Sequence, residues 1–161
     1  MVKNILHAYG LNLYVAEALV KDLTPEQWTA QPHGLVNHPC WSIGHLVKSA
    51  HDLCGRLGVE STLPEGWEVT FKAGTSPNPD ASANPSKDEV MNAHRELHKK
   101  LSEALPNVDQ ATLDTKHPDE KVRQYFPTIG DMAVFLLTAH EMDHLGQVAA
   151  WRRAMGLKPA M

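Results

Sequence analysis

Cysteine is scarce in this chain of 161 residues: Cys40 and Cys54 are the only two. Two cysteines make no disulfide framework, and the Cys-x-x-Cys spacing is absent. Both thiols are expected to stay free, as in a reducing cytoplasm. Long apolar runs are also missing. None approaches the roughly 18 residues of a membrane span, and residues 1–10 hold no apolar core of signal-peptide length. Basic runs stop at two residues, Lys99-Lys100 and Arg152-Arg153, in a chain whose net charge is −4. That leaves no electrostatic footprint for nucleic acid and no basic membrane anchor. No segment alternates apolar and polar residues as a half-buried strand does, so a sheet is not expected.

What is present is a globular composition, 42% apolar and 21% charged, over a length suited to one domain spanning residues 1–161. Four segments carry helical periodicity. The first, about 3–23, repeats Ile5, Tyr9, Leu13, Ala16, Leu19, Val20 and Leu23. Thr24-Pro25-Glu26-Gln27 then reads as a capping box with proline at the first helical position. The second, about 39–57, carries Ile43, Leu46, Val47, Ala50, Leu53, Cys54 and Leu57. Ser86-Lys87-Asp88-Glu89 is a further capping box, and it opens a third helix to about 105. Thr128 caps the fourth, about 130–155, which Gly156 closes. The fold expected is an all-α four-helix bundle with long crossover connections. The long loop, about 58–85, is rich in Gly, Pro, Ser and Asn. Trp67 and Phe71 pin its first half to the body.

Histidine is the residue in excess: ten, as many as lysine. On a helical wheel of the fourth segment, Ala133, Leu136, Leu137, His140, His144, Gln147, Val148, Trp151 and Met155 share one face. Two imidazoles four residues apart on an apolar stripe project to one side, the spacing with which a helix offers two nitrogens to one metal. Burying them among leucines is costly without a partner. His140-Glu141-Met142-Asp143-His144 also matches the zinc-peptidase string H-E-x-x-H. A peptidase needs a further ligand, commonly downstream, and residues 145–161 contain no His, Asp, Glu or Cys. A helical bundle also lacks the edge strand that would hold a peptide, so zinc hydrolysis is the minor alternative. The third ligand is then expected upstream, from His38, His45, His51, His94 or His98. Periodicity does not choose among them. His94 and His98 repeat the i, i+4 spacing, but Arg95, Glu96, Lys99 and Lys100 around them read as a solvated face.

Leu23-Thr24-Pro25-Glu26-Gln27-Trp28, then Cys40-Trp41-Ser42-Ile43-Gly44-His45-Leu46, occur in an order that continues through Trp67 and Phe71-Lys72-Ala73-Gly74-Thr75. The order closes with His140-Glu141-Met142-Asp143-His144-Leu145-Gly146-Gln147 and Trp151-Arg152-Arg153. This ordered set, covering nearly the whole chain, resembles the DinB-like superfamily of small metal-binding four-helix bundles. The resemblance implies a three-histidine site at His45, His140 and His144. Characterised members of that superfamily are thiol-dependent transferases and isomerases using bacillithiol, mycothiol or glutathione. More distant kin, the iron-dependent sulfoxide synthases, look for an acid just after the last histidine pair, where this chain has Gly146 and Gln147.

The function this implies is a divalent-metal enzyme, with Zn²⁺, Ni²⁺ or Fe²⁺ on three imidazoles and an open position for a low-molecular-weight thiol. The thiolate would attack an electrophilic small-molecule substrate. Glu141 is the candidate proton acceptor. Gln147 is placed to orient a ligand or water, and Trp67 and Phe71 to roof the site. Cys40 is an alternative resident thiol or fourth ligand, against a plain buried role. The competing class is a non-catalytic metal-binding or interaction bundle, and in either class a homodimer is an expected partner state.

Overall fold

The computed structural model describes residues 2–161. Its helices in chain order are α1 (Val2–Val20), α2 (Pro25–Trp28), α3 (Pro39–Arg56), α4 (Trp67–Thr70), α5 (Lys87–Ala104), α6 (Gln110–Asp114), α7 (Glu120–Arg123), α8 (Ile129–Phe135) and α9 (Glu141–Ala154). The two sequence-read capping boxes are formed. Thr24 and Gln27 reciprocate at α2, and Ser86 and Glu89 at α5. At α3 the cap is His38, whose Nδ1 accepts the Trp41 N–H at 3.0 Å. No helix among the described residues is long and apolar enough to cross a membrane.

α1 packs against α5 and α9, and α3 packs against the same two. The helices therefore form a bundle in which α1 and α3 occupy opposite corners, and so do α5 and α9. The link from α1 to α3 crosses the bundle, while the longest loop joins neighbours. That loop is ordered by its own anchors. Trp67 and Phe71 are buried and meet edge to face, their ring centroids 5.3 Å apart. Further along, the Asn78 carbonyl accepts from His38 Nε2 at 3.1 Å, and the Pro85 carbonyl accepts the Trp28 indole N–H at 3.1 Å. Residues 107–127 contain α6 and α7, and an isolated antiparallel bridge pairs Lys116 with Thr128.

The last helical segment departs most from the sequence reading. α8 and α9 are joined without a break by a π turn, Leu136–His140. A π turn takes in one extra residue and shifts the faces before and after it. Regular spacing would carry the buried line from Ala133 and Leu137 to His140. The wide turn carries it to Glu141 and Leu145, both buried, and leaves His140 half-buried at the margin. The turn also leaves carbonyl groups to be satisfied from outside. Buried Asn12 on α1 does this: its Nδ2 donates to the Leu137 carbonyl at 3.3 Å and to the Thr138 carbonyl at 3.2 Å. At the far end of α9, buried Arg152 forks onto Asp22 beyond α1 and donates to the Leu19 carbonyl.

Replacing Asn12 by Leu keeps the volume and removes both donors. The expected cost is about 1–3 kcal/mol, since the buried Leu137 carbonyl loses this donor and the Thr138 carbonyl keeps only the Glu141 N–H. A urea titration of Asn12→Leu against the parent checks this, and an unchanged midpoint would contradict the role assigned to Asn12.

Candidate metal centre

α3 and the π turn bring His45, His140 and His144 together, with one ligand atom of each lying within 4.8 Å of the others. His45 Nε2 and His140 Nε2 are 3.2 Å apart. The rings of His45 and His144, and of His140 and His144, have centroids 4.8 Å apart. His45 lies on α3 away from the helix's aliphatic stripe because it faces this cluster, not the general core. Its Nδ1–H donates to the Phe71 carbonyl at 2.8 Å. That bond fixes the tautomer and leaves the Nε2 lone pair directed into the cluster. His140 Nδ1 and His144 Nδ1 are buried without a partner. Three imidazoles whose lone pairs converge, with no acid among them to supply a proton, are a donor set that suits a divalent ion of the zinc, nickel or iron(II) kind.

The electrostatics agree. Burial pushes the pKa of all three histidines below its ordinary value. His140 falls to about 4, through burial and then the neighbouring His144 and His45. His144 also falls to about 4, through burial and then His45. All three are therefore neutral near pH 7, the form that binds a metal.

The aromatic wall of the cluster is Trp41, one helical turn before His45. Its ring is parallel to His45, with centroids 5.0 Å apart, and tilted toward His144 at 6.1 Å. Its indole N–H donates to Thr75 Oγ1 at 3.1 Å, tying the long loop to the site. Phe71 acts through its backbone carbonyl and through packing. Its ring fills the space over Gly44, where any Cβ would overlap it. Trp67 lies behind Phe71. Gln147 accepts from Asn37 Nδ2 at 2.9 Å and donates to Asp143 at 3.1 Å, and it lies close enough to His144 to oppose part of the fall in that histidine's pKa. Cys40 is wholly buried against the Asn84 and Pro85 end of the loop, and burial pushes its thiol up to about 12. It is an inert core thiol, outside the histidine cluster.

Two sequence expectations change. His94 and His98 are not a solvated face: they are 0% and 2% exposed. Arg95, Glu96 and Lys99, which made the turn look wet, point outward because adjacent helical residues do not share a face. Glu141 does not stand open as a proton acceptor at the three-histidine cluster. It is 3% exposed, and its Oε1 accepts from His94 Nε2 at 2.9 Å and His98 Nε2 at 2.6 Å. Burial raises the Glu141 pKa, and the two histidine hydrogen bonds outweigh this, so it lies below the ordinary carboxylate value. The signal that could have found this pair is a helical wheel of α5, on which His94 shares a face with Val90, Leu97 and Leu101.

The chain matches the family model of the DinB superfamily over residues 11–148, a span that includes all three cluster histidines, and it belongs to that superfamily. Neither the curated proteins nor the solved structures contain a match to it.

Two outcomes test this geometry. In the folded chain His140 and His144 take up protons only near pH 4, whereas unfolded they would do so near 6.5. Between those values the unfolded state binds more protons, so stability present above about pH 6.5 is lost as pH falls toward 4. Calorimetry of metal-stripped protein should show Tm declining from pH 7 to 4.5; a flat profile contradicts the buried neutral pair. Separately, Gly44→Ala should force Phe71 aside, costing about 1–3 kcal/mol by overpacking. It should also loosen His45, read as a lower midpoint in urea together with weaker metal retention.

Proposed function

We propose that this chain is a divalent-metal-dependent enzyme that activates a low-molecular-weight thiol for transfer to, or isomerisation of, an electrophilic small molecule. One observation carries the reading: three imidazoles converge, and the third, His140, is only half-buried. His45, His140 and His144 would hold the ion. Bound there, Zn²⁺, Ni²⁺ or Fe²⁺ would stabilise a thiolate over its thiol. The protein's own side chains set the stage for that step. Phe71 holds His45 in the ligating tautomer, Trp41 walls the cluster on the α3 side, and buried Leu137 and Leu145 back the helix that carries the pair.

The thiol is expected to come from outside the protein. Cys40 and Cys54 are both buried, and burial pushes both thiols above their ordinary value, the opposite of an activated nucleophile. Membership of the DinB superfamily agrees with this chemistry and does not select the thiol. The second reading is a metal-binding bundle without turnover. It is favoured by the burial of His45 and His144, which leaves only His140 of the three reaching toward solvent. The enzyme reading therefore places the substrate on the exposed side of His140.

The test has two stages. Protein purified without a nickel column and reconstituted with Zn²⁺, Ni²⁺ or Fe²⁺ should retain metal by elemental analysis. His45→Ala, His140→Ala and His144→Ala should each lower affinity at the shared site at least tenfold. The loaded protein is then screened with bacillithiol, mycothiol and glutathione against alkyl and aryl electrophiles. Turnover dependent on both metal and thiol supports the enzyme. Full metal with no turnover favours the second reading, and no retained metal overturns both.

A further inference from the structure

The His140–Glu141 peptide bond separates two polar clusters. On the far side from the three histidines, α5 and α9 meet across the bundle centre. There His94 Nε2, His98 Nε2 and Glu141 Oε1 converge, with the two nitrogens 3.2 Å apart. Tyr9 from α1 closes the group. Its ring stacks on His98 at a centroid distance of 3.6 Å and an angle of 12°.

As a hydrogen-bonded network this cluster leaves buried polar atoms over. If both Nε2 atoms carry protons, both donate to Glu141 Oε1 and lie 3.2 Å apart without bonding to each other. If one Nε2 accepts from the other, it no longer donates to Glu141. In either case Glu141 Oε2, His94 Nδ1 and the Tyr9 hydroxyl are buried with no partner, a rare and costly condition for polar groups in a core. The three atoms that converge also form a donor set for a cation. Both Nε2 lone pairs and Oε1 can then point at one centre, and the carboxylate offsets part of its charge. Ligand atoms around a tetrahedral zinc stand about 3.3 Å apart, so the three separations of 2.6, 2.9 and 3.2 Å need to open by about 0.1–0.7 Å. The spacing of the two nitrogens equals that of His45 and His140 in the other cluster, 3.2 Å in both. Beside Glu141 lies the cavity of about 10 Å³ lined by Tyr9, His140 and Glu141. It has room for one water, beside the Tyr9 and Glu141 side chains that line it.

We propose that His94, His98 and Glu141 bind a second divalent cation, of the zinc or iron(II) class, with a water in the adjoining cavity. The consecutive residues His140 and Glu141 then serve two different ions. The site stands on its own geometry and does not depend on the proposed reaction. Being closed, it acts on the bundle as a clasp between α5 and α9, opposite corners that otherwise meet through these side chains.

Wild-type crystals grown metal-free and soaked in zinc chloride test it without any variant. Two anomalous peaks at the zinc edge are expected, one bounded by each cluster. A peak at His45, His140 and His144 alone overturns this inference, showing a hydrogen-bonded network only, and leaves the proposed function standing. A peak at His94, His98 and Glu141 alone supports the inference and removes the metal from the proposed reaction. No peak at either overturns both. Native mass spectrometry in solution should agree, with two zinc ions per wild-type chain and one for Glu141→Gln. Two ions retained by Glu141→Gln would count against the assignment.

Discussion

Between Leu136 and His140 the last helix spends one extra residue, and both polar clusters depend on it. In a regular helix the line from Ala133 through Leu137 would continue to His140 and His144. With the π turn it continues to Glu141, Leu145 and Val148, all buried. His140 is left at the margin, where it can reach both His45 and the surface. Glu141 is driven into the centre, where it meets His94 and His98. A wide turn is less stable than an α-turn, because its backbone groups pair less well. It persists here because Asn12 on a different helix supplies donors to the Leu137 and Thr138 carbonyls.

The bundle interior holds an unusual load of polar groups for its size: His38, His45, His94, His98, Glu141 and His144 are all under 9% exposed. Each unpaired polar group of this kind costs about 1–3 kcal/mol, against a net folding stability that is only about 5–15 kcal/mol for a domain. The chain meets part of this cost with contacts from far along the sequence. The Phe71 carbonyl serves His45, and the Asn78 carbonyl serves His38. What stays unpaired is concentrated on the two histidine clusters and Tyr9, with Ser42 and Arg152 Nε the exceptions. The unpaired atoms therefore lie in the same two clusters whose remaining ligand atoms converge.

Much of the architecture was legible in residue order. Apolar periodicity located the four long helices to within a few residues, because a 3.6-residue repeat on a buried face leaves a strong pattern. Capping boxes located the starts of α2 and α5. The pairing of His140 with His144 was legible for the same reason, and the choice of His45 came from resemblance to the DinB-like superfamily. The solvated reading of His94 and His98 failed because it weighed sequence neighbours, which on a helix face other directions. Trp41 went unassigned because its contact with His45 depends on which side of α3 meets the last helix. The short helices α6 and α7 carry too few residues for any periodicity to register.

The sequence by itself determined an all-helical bundle, the capped starts of its helices and one pair of histidines sharing a face, since each follows from local spacing and capping chemistry. Only the tertiary structure decided which way the last helix turns its residues, because the π turn is stabilised by Asn12, over a hundred positions away in the chain. That one non-local contact separates His140 from Glu141, turns one histidine-rich interior into two clusters, and places the carboxylate with the pair whose neighbours had made it look exposed.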